Sequence, residues 1–319
     1  MDGPVVRRAA AFAPSHVTGI FVPATGATDP RARGSLGAGL VLDIGVVADA
    51  TWVPGPRTTV EVRGAGPFGY EISAEAARHL LGPARGRLSV RIDGDLPVSQ
   101  GFGTSAAGAL ATALAVAAAL RRPRARAIEV AHLADLFGGG GLGGVAAISG
   151  GGGLELRTSP GIPPFGAVAW RRYDAPLALG AVGRRLSTRA LLADPLWQRR
   201  FRAGDALFRR LAAEPTEEGF WSASERFTDT VRLASPRLRA VLRALRRRGA
   251  RAAQAMLGQS YFARLPPGRR GDELRRWAAR TRVPLREVRV GEQGAGPRRR
   301  VRAAGARVFS RPRPRAHLP

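Results

Sequence analysis

The segment Pro97–Ala107, Pro-Val-Ser-Gln-Gly-Phe-Gly-Thr-Ser-Ala-Ala, constrains this chain more than any other stretch. It runs directly into the Ala- and Leu-rich segment Gly108–Leu120. The pattern predicts a flexible glycine loop, two hydroxyl residues and then the first turns of a helix. With no Cβ in the way, the backbone at Gly101 and Gly103 can approach an anion closely. The helix that follows directs its free N–H groups and the positive end of its dipole at the same point. Thr104 and Ser105 add hydroxyls suited to a phosphate oxygen or to Mg²⁺. A phosphate-binding loop is the leading reading. The same residues also fit an ordinary loop capped by Thr104 or Ser105 ahead of a buried helix. A Walker-type loop is excluded because it needs a Gly-Lys-Ser/Thr step. This chain has no Lys, and all 51 of its basic residues are Arg.

Composition bounds the rest. At 319 residues, 45% of them hydrophobic, the chain suits one large or two medium domains with a full core. The absence of Cys excludes disulfides and thiolate metal sites. The opening Met-Asp-Gly-Pro-Val-Val-Arg-Arg lacks the apolar centre of a signal peptide. The longest apolar run, Ala106–Leu120, falls short of the ~20 residues that span a bilayer. A cytoplasmic protein without a membrane partner is expected.

The net charge of +27 is unevenly spread. Residues 1–169 carry 15 Arg against 12 acidic residues, and residues 170–319 carry 36 against 12. Such basicity raises the question of a nucleic-acid or polyanion partner. Few aromatics are interleaved with the arginines, so no stacking platform for single strands is evident. Arg used throughout in place of Lys on solvated helix faces is the favoured explanation, and a nucleic-acid partner is disfavoured.

Residues 9–63 read as strand-rich, with short apolar runs at Ala9–Ala13, Gly19–Val22, Leu40–Ile44 and Thr58–Val62 broken by Gly and Pro. Helices are expected at Ala74–Leu81, from the loop to Leu120, and at Arg126–Phe137, with a strand at Leu88–Ile92. Gly138–Gly153 reads as a Gly-rich segment with the apolar insert Val145–Ile148, and Pro160–Pro164 as a linker. The second half predicts helices at Leu196–Ala212, Glu217–Leu233, Pro236–Arg248 and Gly271–Arg282. Strands are expected at Ala252–Leu257, Ser260–Leu265 and Pro284–Val290. Helices set between strands point to an α/β sandwich of ferredoxin-like type. Domains are therefore expected at 1–165 and 166–296. A basic tail follows at 297–319, with eight Arg, no acid and several Pro, expected to be disordered.

The loop resembles the Pro-x-x-x-Gly-Leu-Gly-Ser-Ser-Ala-Ala loop of the GHMP kinase superfamily, with Phe102 for Leu and Thr104 for the first Ser. Further stretches resemble one branch of that superfamily, the archaeal pantoate kinases. They are Ala13-Pro-Ser-His-Val-Thr-Gly-Ile-Phe, Gly34-Ser-Leu-Gly-Ala-Gly-Leu-Val-Leu, the segment 131–161, and Gln254-Ala-Met-Leu-Gly-Gln-Ser-Tyr-Phe-Ala. Together they cover residues 9 to 290. The resemblance implies an α+β GHMP kinase fold, with an N-terminal ribosomal protein S5 domain 2-like domain and a C-terminal ferredoxin-like α/β sandwich. It implies ATP-dependent, Mg²⁺-assisted phosphorylation of pantoate to 4-phosphopantoate in coenzyme A synthesis. A homodimer is compatible with it.

The resemblance also implies site residues. ATP would be held by Pro97, Val98, Ser99, Gly101, Phe102, Gly103, Thr104, Ser105, Ala106 and Ala107. Mg²⁺ would be held by the Ser105 hydroxyl and by Asp135, which stands where the family usually has Glu. Substrate would be held by Ser35, His132 and Arg157, the last gripping its carboxylate with a guanidinium. One position departs from the pattern. Where the family has Gly-Thr-Gly-Leu-Gly-Asp, ending in a catalytic Asp, this chain has Gly-Gly-Gly-Leu-Gly and then Gly144. General-base catalysis contributes roughly 10²–10⁴-fold, whereas phosphoryl transfer depends more on positioning and charge. A slower enzyme is thus expected, with Glu155 or a phosphate oxygen taking the proton, and with Gly144→Asp raising turnover. The alternatives are a homoserine- or mevalonate-type kinase, or a nucleotide-binding pseudokinase.

Overall fold

Two long antiparallel strands form the spine of the molecule, β1 (Arg7–Ala24) and β2 (Gly34–Pro54). In the computed structural model, which describes residues 5–64 and 70–297, they pair from Arg7 opposite Trp52 to Ala24 opposite Gly34. A 3₁₀ turn at Pro30–Ala32 lies in their connection. The expected runs Ala9–Ala13, Gly19–Val22 and Leu40–Ile44 are thus parts of two continuous strands. The predicted breakers fall where the register slips, between Pro14 and His16 and between Thr18 and Ile20. Pro14 keeps its partner Gly45, the first slip takes up Ser15 against residues 42–44 of β2, and the second takes up Gly19, so the strand continues past both breakers.

The first sheet continues with β3 (Thr59–Gly64), parallel to β4 (Gly86–Gly94), which pairs antiparallel with β2. Beside the other part of β2 lie β5 (Leu154–Ser159) and then β6 (Ala167–Arg171). This sheet runs past the boundary expected at residue 165, because Pro160–Pro164 is the turn of a β5–β6 hairpin and not a linker between domains.

Helices α1 (Glu71–Leu81), α2 (Thr104–Ala119) and α3 (Arg124–Gly138) cover one face of this sheet. Between them and the sheet, α2 buries 14 of its 16 residues. A helix apolar on all sides belongs in a core. Its alanines let it approach β1 and β2 on one side and α1 and α3 on the other. A short helix, α4 (Gly144–Ser149), follows the glycine run. Sequence patterning showed only an apolar insert there.

The second sheet holds β7 (Leu177–Ala181), β8 (Arg251–Gln254), β9 (Ser260–Arg264) and β10 (Arg286–Val288), in the order β10-β7-β9-β8. Between β7 and β8 lie α5 (Thr188–Ala193), α6 (Pro195–Phe201), α7 (Gly204–Ala213), α8 (Glu217–Val231) and α9 (Pro236–Arg247). Between β9 and β10 lies α10 (Gly268–Arg280). The outcome is a βαββαβ arrangement with its last strand beside its first, the ferredoxin-like pattern. The single helix expected at Leu196–Ala212 is two helices. Gly204 begins the second against Phe227, where a Cβ would come within 2.7 Å of the ring.

The two layers share a core. Phe220 and Trp221 of α8 are fully buried with Val17, Ile20, Leu40 and Phe262. The Trp221 indole N–H donates to Tyr173 Oη at 3.0 Å. Isolated bridges Thr18–Met256 and Leu42–Val290 tie β1 and β2 to the segments that follow β8 and β10. A closing strand, β11 (Gly296–Pro297), pairs with β1 at Ala11 and Phe12. The basic tail expected beyond it lies outside the described residues. Among the described residues, no helix is long and apolar enough to cross a membrane.

Candidate active site

The loop before α2 turns on three left-handed residues, Ser99 (φ 58°), Gly101 (φ 77°) and Gly103 (φ 65°). Two of them have no room for a side chain. A Cβ at Gly101 would collide with the Ala255 carbonyl, and one at Gly103 with Nδ1 of His16. The loop is therefore held from both sides, by β1 and by the β8–β9 turn. The His16 N–H donates to Phe102 O at 3.2 Å, and the Ser260 hydroxyl donates to Gln100 O.

The capped-loop alternative fails. Gly103 occupies the N-cap of α2 and no side chain caps the helix. The Thr104 hydroxyl instead donates to Pro97 O at 3.3 Å, closing the loop on itself. The Ser105 hydroxyl donates to Asp135 Oδ1 at 2.8 Å. The first-turn N–H groups of a four-turn helix are left for an anion.

A cavity of about 880 Å³ opens over this loop, walled by segments 96–106, 138–144 and 185–189. Pro97, Val98, Ser99, Gly101, Phe102, Gly103, Thr104, Ser105 and Ala106 all line it, whereas Ala107 is buried within α2. Asp135 meets Ser105 on its wall. Burial pushes the Asp135 carboxyl up to about 6, with the Ser105 hydrogen bond pulling the other way. Gly140 is obligatory beside them, since a Cβ there would collide with both the Asp135 carboxylate and the Ser105 hydroxyl. Among the described residues there is no cluster of three or more His, Cys, Asp or Glu side chains able to hold a metal. The donor set is one carboxylate and one hydroxyl. Such hard oxygens fit Mg²⁺, which keeps several waters and uses one or two carboxylates together with substrate phosphates.

Ser35 and Arg157 come together at another wall of the cavity. A Cβ at Gly143 would collide with the Ser35 hydroxyl and would lie 2.8 Å from Nε of Arg157. Both atoms are buried without a hydrogen-bond partner among the described residues. Buried polar atoms normally find partners, so an unpartnered pair on a cavity wall points to a ligand. Arg157 is aimed by Glu155, which accepts from Nη1 while Nη2 reaches Ile20 O at 3.5 Å.

Three sequence expectations are corrected here. Glu155 shares a strand face with Arg157 as expected, but it is fully buried and does not line the cavity. Its carboxylate holds Arg157 and is in no position to receive a substrate proton. His132, expected at the substrate, also does not line the cavity. Burial pulls its pKa down, and the carbonyls of Pro30 and Arg33, in and beside the 3₁₀ turn, offset this in part. Its ring is buried against the 3₁₀ turn, short of the cavity lining, although Asp135 three residues later reaches it. Gly144 opens α4, but a Cβ there would lie 2.6 Å from the Ala106 Cβ and 3.1 Å from Cε1 of His16. This chain has filled the space that an Asp at 144 would need.

Two contributors were not singled out from sequence. His16 lines the cavity between Gly103 and Gly144. Its signal was the Pro-Ser-His-Val-Thr-Gly stretch, which indicated family and not a site. Segment 185–189 brings Arg185 and Arg189 to the cavity wall. Arg189 donates to Phe137 O at the end of α3 at 3.0 Å. No local pattern distinguished these arginines from the others.

Comparison with known proteins places this geometry. Residues 71–152 match the family described as GHMP kinases N terminal domain. A pantoate kinase of Thermococcus kodakarensis is 32% identical over 260 residues, covering 79% of this chain and 86% of that protein. A pantoate kinase of Methanospirillum hungatei is 29% identical over 268 residues, covering 80% and 87%. A solved structure described as a phosphotransferase related to the CoA biosynthesis pathway superposes with a TM-score of 0.79 at 27% identity. That match covers 93% of this chain and all of the other.

Proposed function

The chain belongs to the pantoate kinase family of the GHMP kinases, and we infer that it phosphorylates pantoate with ATP, giving 4-phosphopantoate for coenzyme A synthesis. The carrying observation is the cavity itself. It has an uncapped helix end and glycine loop on one wall and the unpartnered Ser35–Arg157 pair on another. The first is suited to a triphosphate, the second to a carboxylate, and the Ser105–Asp135 pair lies in the same space.

In this reading the N–H groups of the 97–103 loop and of the first turn of α2 hold the phosphates. Ser105 and Asp135 would hold Mg²⁺, which when bound neutralises phosphate charge that develops during transfer. Ser35 and Nε of Arg157 take the pantoate carboxylate. Glu155 fixes one edge of the guanidinium, so Arg157 presents its remaining donors in one orientation. A charge-assisted hydrogen bond of this kind contributes about 1.5–3 kcal/mol. Most of the rate then comes from holding donor and acceptor in line, and less from proton removal.

Gly144 favours one competing reading, a protein that binds ATP and transfers slowly or not at all. A coupled ADP-release assay with Mg-ATP over pantoate, homoserine and mevalonate separates the two. Turnover on pantoate alone is the expected outcome. ATP binding with no turnover on any of the three would overturn the kinase reading.

A further inference from the structure

His16 lies beside Gly144, the position at which the family pattern has a carboxylate. It sits on β1 at the first bulge, and its backbone is tied to the phosphate loop through Phe102. Its ring is wedged between two glycines. A Cβ at Gly103 would collide with Nδ1, and a Cβ at Gly144 would lie 3.1 Å from Cε1 and 3.9 Å from Nε2. The imidazole therefore fills the volume into which a side chain at 144 would project.

His16 is 5% exposed and lines the cavity. Nδ1 is fully buried with no hydrogen-bond partner among the described residues, which leaves Nε2 as the nitrogen on the cavity side. The other ionisable groups lining the cavity are Tyr70, Glu71, Asp135, Arg157, Arg185 and Arg189. Neither carboxylate among them stands at the Gly103–Gly144 junction, and Glu155 is sealed beneath Arg157.

We propose that His16 is a catalytic residue that accepts the hydrogen bond of the substrate hydroxyl at Nε2 and receives its proton during transfer. The proposal deepens the pantoate kinase reading and rests on it. As the hydroxyl oxygen bonds to the γ-phosphorus, the bond from that phosphorus to the β,γ-bridging oxygen breaks. The electron pair leaves with ADP. The hydroxyl proton passes to Nε2 and then to water. Burial and the positive charge of Arg157 keep the free ring neutral, with its pKa near 3. A triphosphate entering the same cavity brings negative charge that raises the pKa of the ring and so favours proton acceptance.

The test compares wild type, His16→Asn and His16→Gly on pantoate with Mg-ATP, with nucleotide affinity measured separately by a fluorescent ATP analogue. Both variants are expected to lose roughly 10²–10³-fold in kcat, within the range for a lost general base, and to bind the analogue within threefold of wild type. Added imidazole should restore turnover to His16→Gly, with the rescued rate following the basicity of substituted imidazoles. A kcat for His16→Asn within threefold of wild type overturns the proposal. So does a folded, nucleotide-binding His16→Gly that imidazole does not rescue.

If neither variant folds, ¹⁵N-histidine spectra of the wild type decide. The chain has four histidines, so Gln variants of His79, His132 and His317 assign the fourth signal. Pantoate added to the complex with a non-hydrolysable ATP analogue must shift Nε2 of His16, and an unmoved resonance overturns the proposal. A wild type that never turns over pantoate overturns the substrate reading instead, and is seen before any variant is compared.

Discussion

At position 144 a single missing side chain shows how local packing overrides a family pattern. Glycine there reads in the sequence as a lost carboxylate, and restoring Asp is the natural repair. The packing argues otherwise, because the Cβ of any residue at 144 meets Ala106 of the buried helix α2 at 2.6 Å. Overpacking of this kind costs about 1–3 kcal/mol. Gly144→Asp is therefore expected to lower the urea midpoint and to leave kcat no higher than wild type. A gain in kcat at undiminished stability would contradict this. Glu155 and His16 yield a second prediction, through pH. Burial raises the Glu155 pKa to about 7, although the adjacent Arg157 opposes the shift. The folded state then binds more protons than the unfolded between roughly pH 4.5 and 7. Stability held by wild type relative to Glu155→Gln is present at acid pH and is lost as pH rises through that window. His16 has the opposite sign, its pKa lowered to about 3 by burial and by Arg157. Wild type loses stability relative to His16→Asn as pH falls from roughly 6.5 toward 3, with a limiting slope of about 1.4 kcal/mol per pH unit. Urea unfolding of the three proteins at pH 4, 5, 6 and 7 measures both trends. The motif assigned Ser35, Ser105, Asp135 and Arg157 to one site, and all four meet at the cavity. It also assigned His132, which is buried and does not line the cavity. An i,i+3 spacing puts two side chains on one helix face but cannot say which of them reaches the cavity and which packs against a neighbouring turn.

Among the elements, the glycine loop before α2 was the most legible and the spine of the first sheet the least. Glycine at 101 and 103 announces a left-handed loop in any context, since the steric reason is local. The long strands β1 and β2 read as separate runs because Pro14 and Gly19 are strand breakers by propensity, whereas in the sheet Pro14 pairs with Gly45 and a register shift passes over Gly19. Helix α4 went unseen because six residues inside a glycine run offer no periodicity to detect. The loop also depends on an element far along the chain. The Ser260 hydroxyl at the start of β9 donates to Gln100 O, and Ala255 O abuts Gly101. Ser260→Ala leaves that buried carbonyl short of a donor. One such hydrogen bond contributes about 0.5–1.5 kcal/mol, so the ATP KM is expected to rise about two- to tenfold while the pantoate KM stays near wild type. Equal changes in both constants would show that β9 does not act through the loop.

For the whole molecule, the site belongs to neither half alone. Ser105, Asp135 and Arg157 come from the part built on the first sheet, while segment 185–189, Met256 and Leu257 reach the same cavity from the second. The apolar core between the layers is shared in the same way, with Val17 and Leu40 of the first sheet packed with Phe262 and the α8 aromatics. The charge contrast between the halves was legible in the sequence, but it marked no structural division at residue 165, where the first sheet continues to Arg171. Charge lies on surfaces, and surfaces do not report which strands pair beneath them. A shared core and a shared cavity predict one cooperative unit. Calorimetry should show a single unfolding transition, and Mg-ATP should move all of it. A ligand at a hundred times its Kd stabilises the folded state by about 2.7 kcal/mol, and here that gain should reach β8 and β9 as well as α2. Hydrogen exchange measured with and without Mg-ATP resolves this by segment. Added protection at 251–264 as well as at 97–119 fits one unit. Protection confined to 97–119, or a second transition that nucleotide leaves in place, would mean that the halves open independently and that the loop is not anchored from the second sheet.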